Sequence, residues 1–191
     1  QSIEQLSIEK YNMNIVKHPS TEDVLSLCTR PTLNTEKLAA TVSGVLDDVR
    51  RHGDRAVKMY EEQFDKVALG SLLVSEEEIA AADTLLDDDL KGAIELAYGN
   101  IRRFHESQMR KEINKVETCP GVSCWQKNIA IEKVGLYIPG GTAPLFSTVL
   151  MLATPAKIAG CREIVLCTPP AKDGMVNPAI LFAAKVAGVS R

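Results

Sequence analysis

The richest stretch of the chain for chemistry reads GLYIPGGTAPLFSTVLMLATPAKIAG, from Gly135 to Gly160. Two adjacent glycines, Gly140 and Gly141, stand between Pro139 and Pro144, after an apolar strand-like run and before a long apolar segment. Open α/β sheets bind ligands at such strand-to-helix junctions, where glycines admit a ligand close to the backbone and the first amides of the helix face an anion. The common nucleotide fingerprints are absent. Thr142-Ala143-Pro144 follows the glycine pair and breaks G-x-G-x-x-G, and no lysine follows as a phosphate-binding loop requires. Paired glycines beside prolines also satisfy a tight turn with no ligand at all. On these residues alone both readings stay open, and Tyr137 reads as an aromatic at a strand end packed against the next helix.

The remaining chemistry-bearing residues assemble no second site. His18, His52 and His105 fall in a polar segment, at a helix end and on a long helix, where hydrogen-bonded packing roles suit them. The five cysteines, Cys28, Cys119, Cys124, Cys161 and Cys167, form an odd set without a Cys-x-x-Cys pair and read as reduced, small semi-buried residues. Cys119 and Cys124 flank Pro120-Gly121 and are placed to approach one another across a hairpin. Glu76-Glu77-Glu78 and Asp87-Asp88-Asp89 complement the positive ends of helix dipoles rather than a metal. No catalytic residue and no metal ligand is assigned.

The elements that must position the glycine pair follow from periodicity. Residues 1–34 read as an N-terminal arm ending in LCTRPTLNT. Thr35 caps a helix carrying Leu38, Val42, Val45 and Val49 on one face; Gly53 stops it, and Asp54 caps a second helix with Ala56, Val57, Tyr60 and Phe64, the two packing as an αα unit. Leu72–Val74 suggests a short strand. Ser75 with Glu78 gives a capping-box pattern, and a long helix runs from Asp87 to about Lys111 with Leu90, Ile94, Ala97, Ile101 and Phe104 on its stripe.

After Asn114 come short β-like pieces: a hairpin turning at Pro120-Gly121, then a buried strand ending at Ile138. The glycine loop, a helix from about Ser147, the strand REIVLCT and a helix from Asn177 to Ala187 complete a β-loop-α-β-α series. Ser147 or Thr148 is expected to cap the first of these helices and Pro155 to kink or split it. Such a series implies a parallel sheet with right-handed crossovers, and Val189 reads as the first residue of a third strand. Two parallel strands do not make a self-sufficient sheet, so a truncated protein is expected. The organisation expected is an arm over 1–34, a helix-rich part over 35–128 and an incomplete β-α-β-α unit over 129–191.

Composition bounds the rest. The chain has 191 residues, 45% hydrophobic and 25% charged, as in ordinary globular domains, and no apolar run approaches the ~18 residues of a membrane span. The net charge of −3 and the scattering of 22 basic residues speak against nucleic acid as a partner. QSIEQLSIEKYNMN lacks the basic and then apolar regions of a secretory signal, so a cytoplasmic protein is expected.

The run VGLYIPGGTAPLFSTVLMLATPAKIAGCREIVLCTPP closely resembles the signature of histidinol dehydrogenases. LCTRP, VRRHGDRAVKMYEEQFD and AYGNIRRFHESQ resemble upstream landmarks of that family in the same order, so the resemblance covers about residues 25–191. It implies an aldehyde-dehydrogenase-like, Rossmann-like α/β architecture in a homodimeric, zinc-dependent enzyme that oxidises L-histidinol through L-histidinal to L-histidine with two NAD. It also implies an N-terminal fragment, inactive alone, because the family's zinc and substrate ligands and its Glu-His proton-transfer pair match nothing here. Tyr137, in the family's G-L-Y-[IV]-P-G-G pattern, is thereby implied as an NAD contact, with Gly140 and Gly141 beside it; residues 129–191 become part of an NAD-binding unit. Leu145-Phe146 departs mildly from the family pattern. Two other readings compete: another NAD(P)-linked enzyme of the aldehyde-dehydrogenase-like group, and a stand-alone assembly domain without chemistry.

Overall fold

A computed structural model describes residues 15–30, 35–109, 113–140 and 143–191. The chain divides into two compact units, Gln1–Asp47 and Asp48–Arg191. In the first, α1 (Thr21–Cys28) lies inside the segment read as an arm. Its start is a reciprocal capping box, Ser20 Oγ accepting from Asp23 N–H at 3.2 Å while Asp23 accepts from Ser20 N–H at 2.9 Å. Periodicity did not reveal this helix because Val24, Leu25 and Leu27 are all exposed, so no buried stripe marks it. Helix α2 (Thr35–His52) begins in this unit and ends in the second; its Leu38, Val42 and Leu46 are exposed, whereas Val45 and Val49 are half-buried.

Gly53 ends α2 as expected, with φ at +56° and its N–H donating to Val49 O at 2.8 Å. The same glycine is the N-cap of α3 (Asp54–Phe64), so Asp54 is the first helical residue and not the cap. The turn is that tight because one left-handed residue serves both helices. Tyr60 of α3 donates to Asp48 of α2 at 2.7 Å across this turn and stacks on Phe64 of its own helix.

Residues 72–74 form a bend instead of a strand: Ser71 Oγ bonds both Leu73 N–H and Leu73 O at 3.0 Å, satisfying locally the groups a neighbouring strand would need. Helix α4 (Glu76–Leu85) starts with Ser75 Oγ accepting from Glu78 N–H at 3.1 Å, but the box closes on one side only. Glu77 takes part there instead, its own backbone N–H and the Ser75 hydroxyl holding its carboxyl below the usual range. Helix α5 (Asp88–Ser107) is capped by Asp87, which accepts from Leu90 N–H at 2.7 Å. Leu90, Ile94, Ala97 and Ile101 pack into the core, whereas Phe104 is 62% exposed, so the stripe outruns the surface it covers. Residues 110–112, where the helix was expected to end, lie outside the described residues.

Strands β1 (Lys115–Cys119) and β2 (Val122–Trp125) form the expected antiparallel hairpin, with Gly121 at φ +83° in the turn. Then come β3 (Lys133–Tyr137), α6 (Phe146–Ala159), β4 (Glu163–Cys167) and α7 (Pro178–Ala187). β3 and β4 pair in parallel, Leu136 opposite Leu166 and Tyr137 opposite Cys167. Helix α6 is apolar all round because it packs against α5, α7 and the two strands at once, burying Val149, Leu150 and Ala153 completely. Pro155 does not split it; Ala153 and Thr154 just before it are anchored in the core, and that packing outweighs one lost backbone bond. Gly160 and Gly188 close α6 and α7 in the left-handed conformation.

Two further expectations need correction. β3 is not a buried strand: Val134, Leu136 and Ile138 turn inward, whereas Lys133, Gly135 and Tyr137 are exposed on the opposite face. Val189 does not begin a third strand, because its N–H closes the end of α7 on Ala184 O at 3.0 Å. Pairing along the free edge of β4 begins one residue later, Ser190 N–H donating to Ile164 O and Leu166 N–H to Arg191 O, both at 2.8 Å.

Candidate functional site

At the carboxyl ends of β3 and β4 two strand-to-helix loops lie side by side. Ile138, fully buried, continues the pairing past β3 by donating to Cys167 O at 2.9 Å, so the loops leave the sheet in step. Strand alternation puts Tyr137 on the face away from the core, 63% exposed and paired in register with the exposed Cys167. The ring therefore stands mostly uncovered, where its residue type alone suggested packing against the following helix.

Gly140 belongs to the same edge for a steric reason. A Cβ built on it would lie 2.7 Å from Pro169 Cγ, in the loop after β4, so only glycine lets the two loops close on one another. Its φ is not in the left-handed range, so the close approach and not backbone handedness demands the glycine. Gly141 and Thr142 lie outside the described residues.

Helix α6 opens behind these loops without a side-chain cap. Its N-cap is Leu145, and neither Ser147 nor Thr148 caps it because both already lie in the first turn. Leu145 and Phe146 pack on the core, so hydrophobic anchoring stands where a capping hydroxyl would, and among the described residues the first amides have no side-chain acceptor.

The second loop is more tightly built. After Pro169-Pro170, Ala171 N–H donates to Met175 O at 2.8 Å and Gly174 N–H to Ala171 O at 2.9 Å, while Asp173 accepts from Met175 N–H at 3.0 Å. Glu78, from α4, accepts from Val176 N–H at 2.9 Å, and Asn177 then caps α7. Residue-type reasoning missed Cys167, Pro169 and Glu78. The legible signal was Thr168-Pro169-Pro170 directly after a strand, a second junction that must share the edge of the first.

The other candidates stay apart. His105 bonds Gln108 at 2.8 Å, His52 lies 3.7 Å from Asp48, and His18 sits in the N-terminal unit. Among the described residues no three His, Cys, Asp or Glu side chains converge as a metal site would require. All five cysteines are free and only Cys161 is buried, against the semi-buried reading; Cys119 faces Val122 and Cys124 faces Val116, so the hairpin register separates the two thiols. Lys133 pairs with Glu163 at 2.8 Å at the amino ends of the strands, and its hydrogen bond holds the Glu163 carboxyl below the usual range. A hollow of about 1340 Å³ is lined by Met109, Val116, Trp125 and Ala159 among others. It is lined by apolar groups and amides with one lysine, Lys127, and one thiol, Cys124, and no acid–base pair, so the carboxyl edge of the parallel strands is the better candidate. No helix among the described residues is long and apolar enough to cross a membrane.

Comparison with known proteins bears on this edge. The histidinol dehydrogenase family profile matches residues 28–191. A histidinol dehydrogenase of Bacteroides thetaiotaomicron is 62% identical over 179 residues, and one of Bacteroides fragilis is 58% identical over the same length. Each match covers 94% of this chain but 42% of the relative, so the chain spans well under half the length of these relatives. The crystal structure of histidinol dehydrogenase from Elizabethkingia anophelis superposes with a TM-score of 0.84 at 45% identity, over 91% of this chain and 40% of that one.

Proposed function

Because the chain belongs to the histidinol dehydrogenase family, we propose that it supplies one wall of the NAD site of an enzyme that oxidises L-histidinol through L-histidinal to L-histidine. The observation that carries the reading is the exposed Tyr137 ring at the carboxyl end of β3, beside a loop that Gly140 and Pro169 close against one another. These residues suit a dinucleotide. An aromatic face, a flat strand position at Gly135 with no atom near its missing Cβ, and helix amides without a side-chain acceptor accept a ring, a sugar and a pyrophosphate in turn. Gly141 is proposed with Gly140 as part of that wall. When bound, NAD supplies the oxidising power of the reaction; the residues here bind and orient it.

Zinc does not fit these residues, since no ligand set converges among the described ones, and we place its ligands outside them. The same proposal includes a homodimer working in the cytoplasm, and it holds that these 191 residues by themselves neither turn over histidinol nor hold zinc tightly. The test is an absorbance assay for NADH at alkaline pH, with NAD, zinc and L-histidinol. A full-length histidinol dehydrogenase carrying this sequence should form NADH and the 191-residue chain should not. A full-length protein without turnover would overturn the activity, and turnover by the short chain would show that its active site lies within these residues.

A further inference from the structure

We infer that Glu78 is a positioning residue for the cofactor loop, acting through the β4–α7 segment; the inference rests on the NAD reading above. Glu78 is the third residue of α4, where a capping box would turn its carboxylate back to the Ser75 amide. It reaches instead to Val176 N–H at 2.9 Å, 98 residues along the chain. A carboxylate accepting a backbone N–H makes one of the stronger protein hydrogen bonds, and a carboxylate at a helix N-terminus is held there by the helix dipole as well. The acceptor is therefore fixed in place before it grips the loop.

What it grips leads to the glycine. Val176 packs on the core one residue before the Asn177 cap, and Met175 beside it is tied back across the loop to Ala171 by the bond at 2.8 Å. On the far side of Ala171 stand Pro170 and Pro169, which have no N–H of their own to anchor them and little backbone freedom to lose. Their position is set by the closed turn that follows, and Gly174 in that turn sits against Val67 and Leu69, from the connector between α3 and α4. Pro169 then abuts Gly140. Release of Val176 would loosen the brace behind the wall that carries Tyr137, without touching any group that meets the ligand. The Asp83–Lys185 ion pair holds α4 to α7 independently, so the helices should stay docked when the Glu78 contact is cut.

The test uses a full-length histidinol dehydrogenase carrying this sequence and three variants. Glu78→Asp keeps the helix-end charge but is one carbon–carbon bond too short to reach Val176; Glu78→Gln keeps an acceptor oxygen at full reach; Tyr137→Ala reports on the NAD reading itself. NADH affinity is read by fluorescence titration, and exchange of the Val176 amide by hydrogen–deuterium mass spectrometry. E78D should weaken NADH binding about fivefold, the low end for coupled sites, with the KM for histidinol unchanged and faster exchange at Val176, while E78Q binds as the parent does. If Y137A weakens NADH binding and E78D does not, the positioning role falls and the NAD reading stands. If neither variant weakens it, the NAD reading falls and takes the inference with it. E78Q as weak as E78D, although it keeps an acceptor at full reach, would show that the hydrogen bond to Val176 does not carry the effect and would overturn the brace.

Discussion

Replacing Gly140 with alanine puts a methyl carbon 2.7 Å from Pro169 Cγ, 3.6 Å from its Cβ and 3.8 Å from its Cδ. Carbon atoms rest at about 3.5 Å or more, so one contact is short by roughly 0.8 Å and the other two are ordinary. Pro169 cannot swing aside as a long side chain would, since its ring is part of the backbone and Pro170 follows it. One of the two loops must therefore move, and overpacking of that kind costs about 1–3 kcal/mol. The same arithmetic names the remedy. Pro169→Ala removes Cγ and leaves only the 3.6 Å contact, so the alanine at 140 should be tolerated in that background. Urea unfolding of the parent, G140A, P169A and the double variant, in a full-length histidinol dehydrogenase carrying this sequence, measures the coupling directly. The two single costs should fail to add by about 1 kcal/mol or more, with the double variant recovering NADH affinity lost in G140A. Strictly additive costs, or a G140A protein as stable as the parent, would refute the steric account of this glycine.

Other positions give independent checks. Burial pushes the Glu61 carboxyl upward, with Asp65 adding to the effect, and its Oε2 is buried without a partner among the described residues. A carboxyl whose folded pKa is raised stabilises the protein below its unfolded pKa of about 4.3 and loses that contribution as pH rises through the folded value, so Glu61→Met should raise Tm at pH 7 and the gain should shrink toward pH 4. An equal gain at both pH values would contradict the burial argument. Gly121→Ala should destabilise the hairpin by about 1 kcal/mol, because φ there is +83°, and Trp125, the single tryptophan of the chain, reports the change by its fluorescence during unfolding. An unchanged transition would show that the turn relaxes freely.

Much of the fold was legible because local rules and packing agree. Gly53 ends a helix where its periodicity stops, Gly188 closes the last one, Asp87 and Asn177 stand at the expected starts of theirs, and Pro120-Gly121 turns the hairpin. Where the reading failed, another partner had taken the group in question. Glu78 bonds Val176 instead of closing its box, Val189 spends its amide on α7 before pairing can begin, and Leu145 enters the core so that no hydroxyl need cap α6. At the candidate site the glycine pair stood out by type and spacing and Tyr137 only through the family resemblance, while the reason for Gly140 is Pro169, 29 residues on, and no local pattern reports a contact across two loops. Tyr137 was read as packed against the next helix at the end of a buried strand, and its exposure on the outer face of β3 is revealed only by the tertiary structure.

The most direct measurement is NADH affinity in full-length protein with and without the Tyr137 ring. Tyr137 is 63% exposed at the strand end, so Tyr137→Ala should leave Tm within a degree or so of the parent, as for surface changes generally, while losing about 1 kcal/mol of NADH binding, near fivefold in Kd. The KM for histidinol should hold. A variant that binds NADH as tightly as the parent would remove the carboxyl edge of β3 from the cofactor site, and a variant that loses stability instead would make Tyr137 a packing residue.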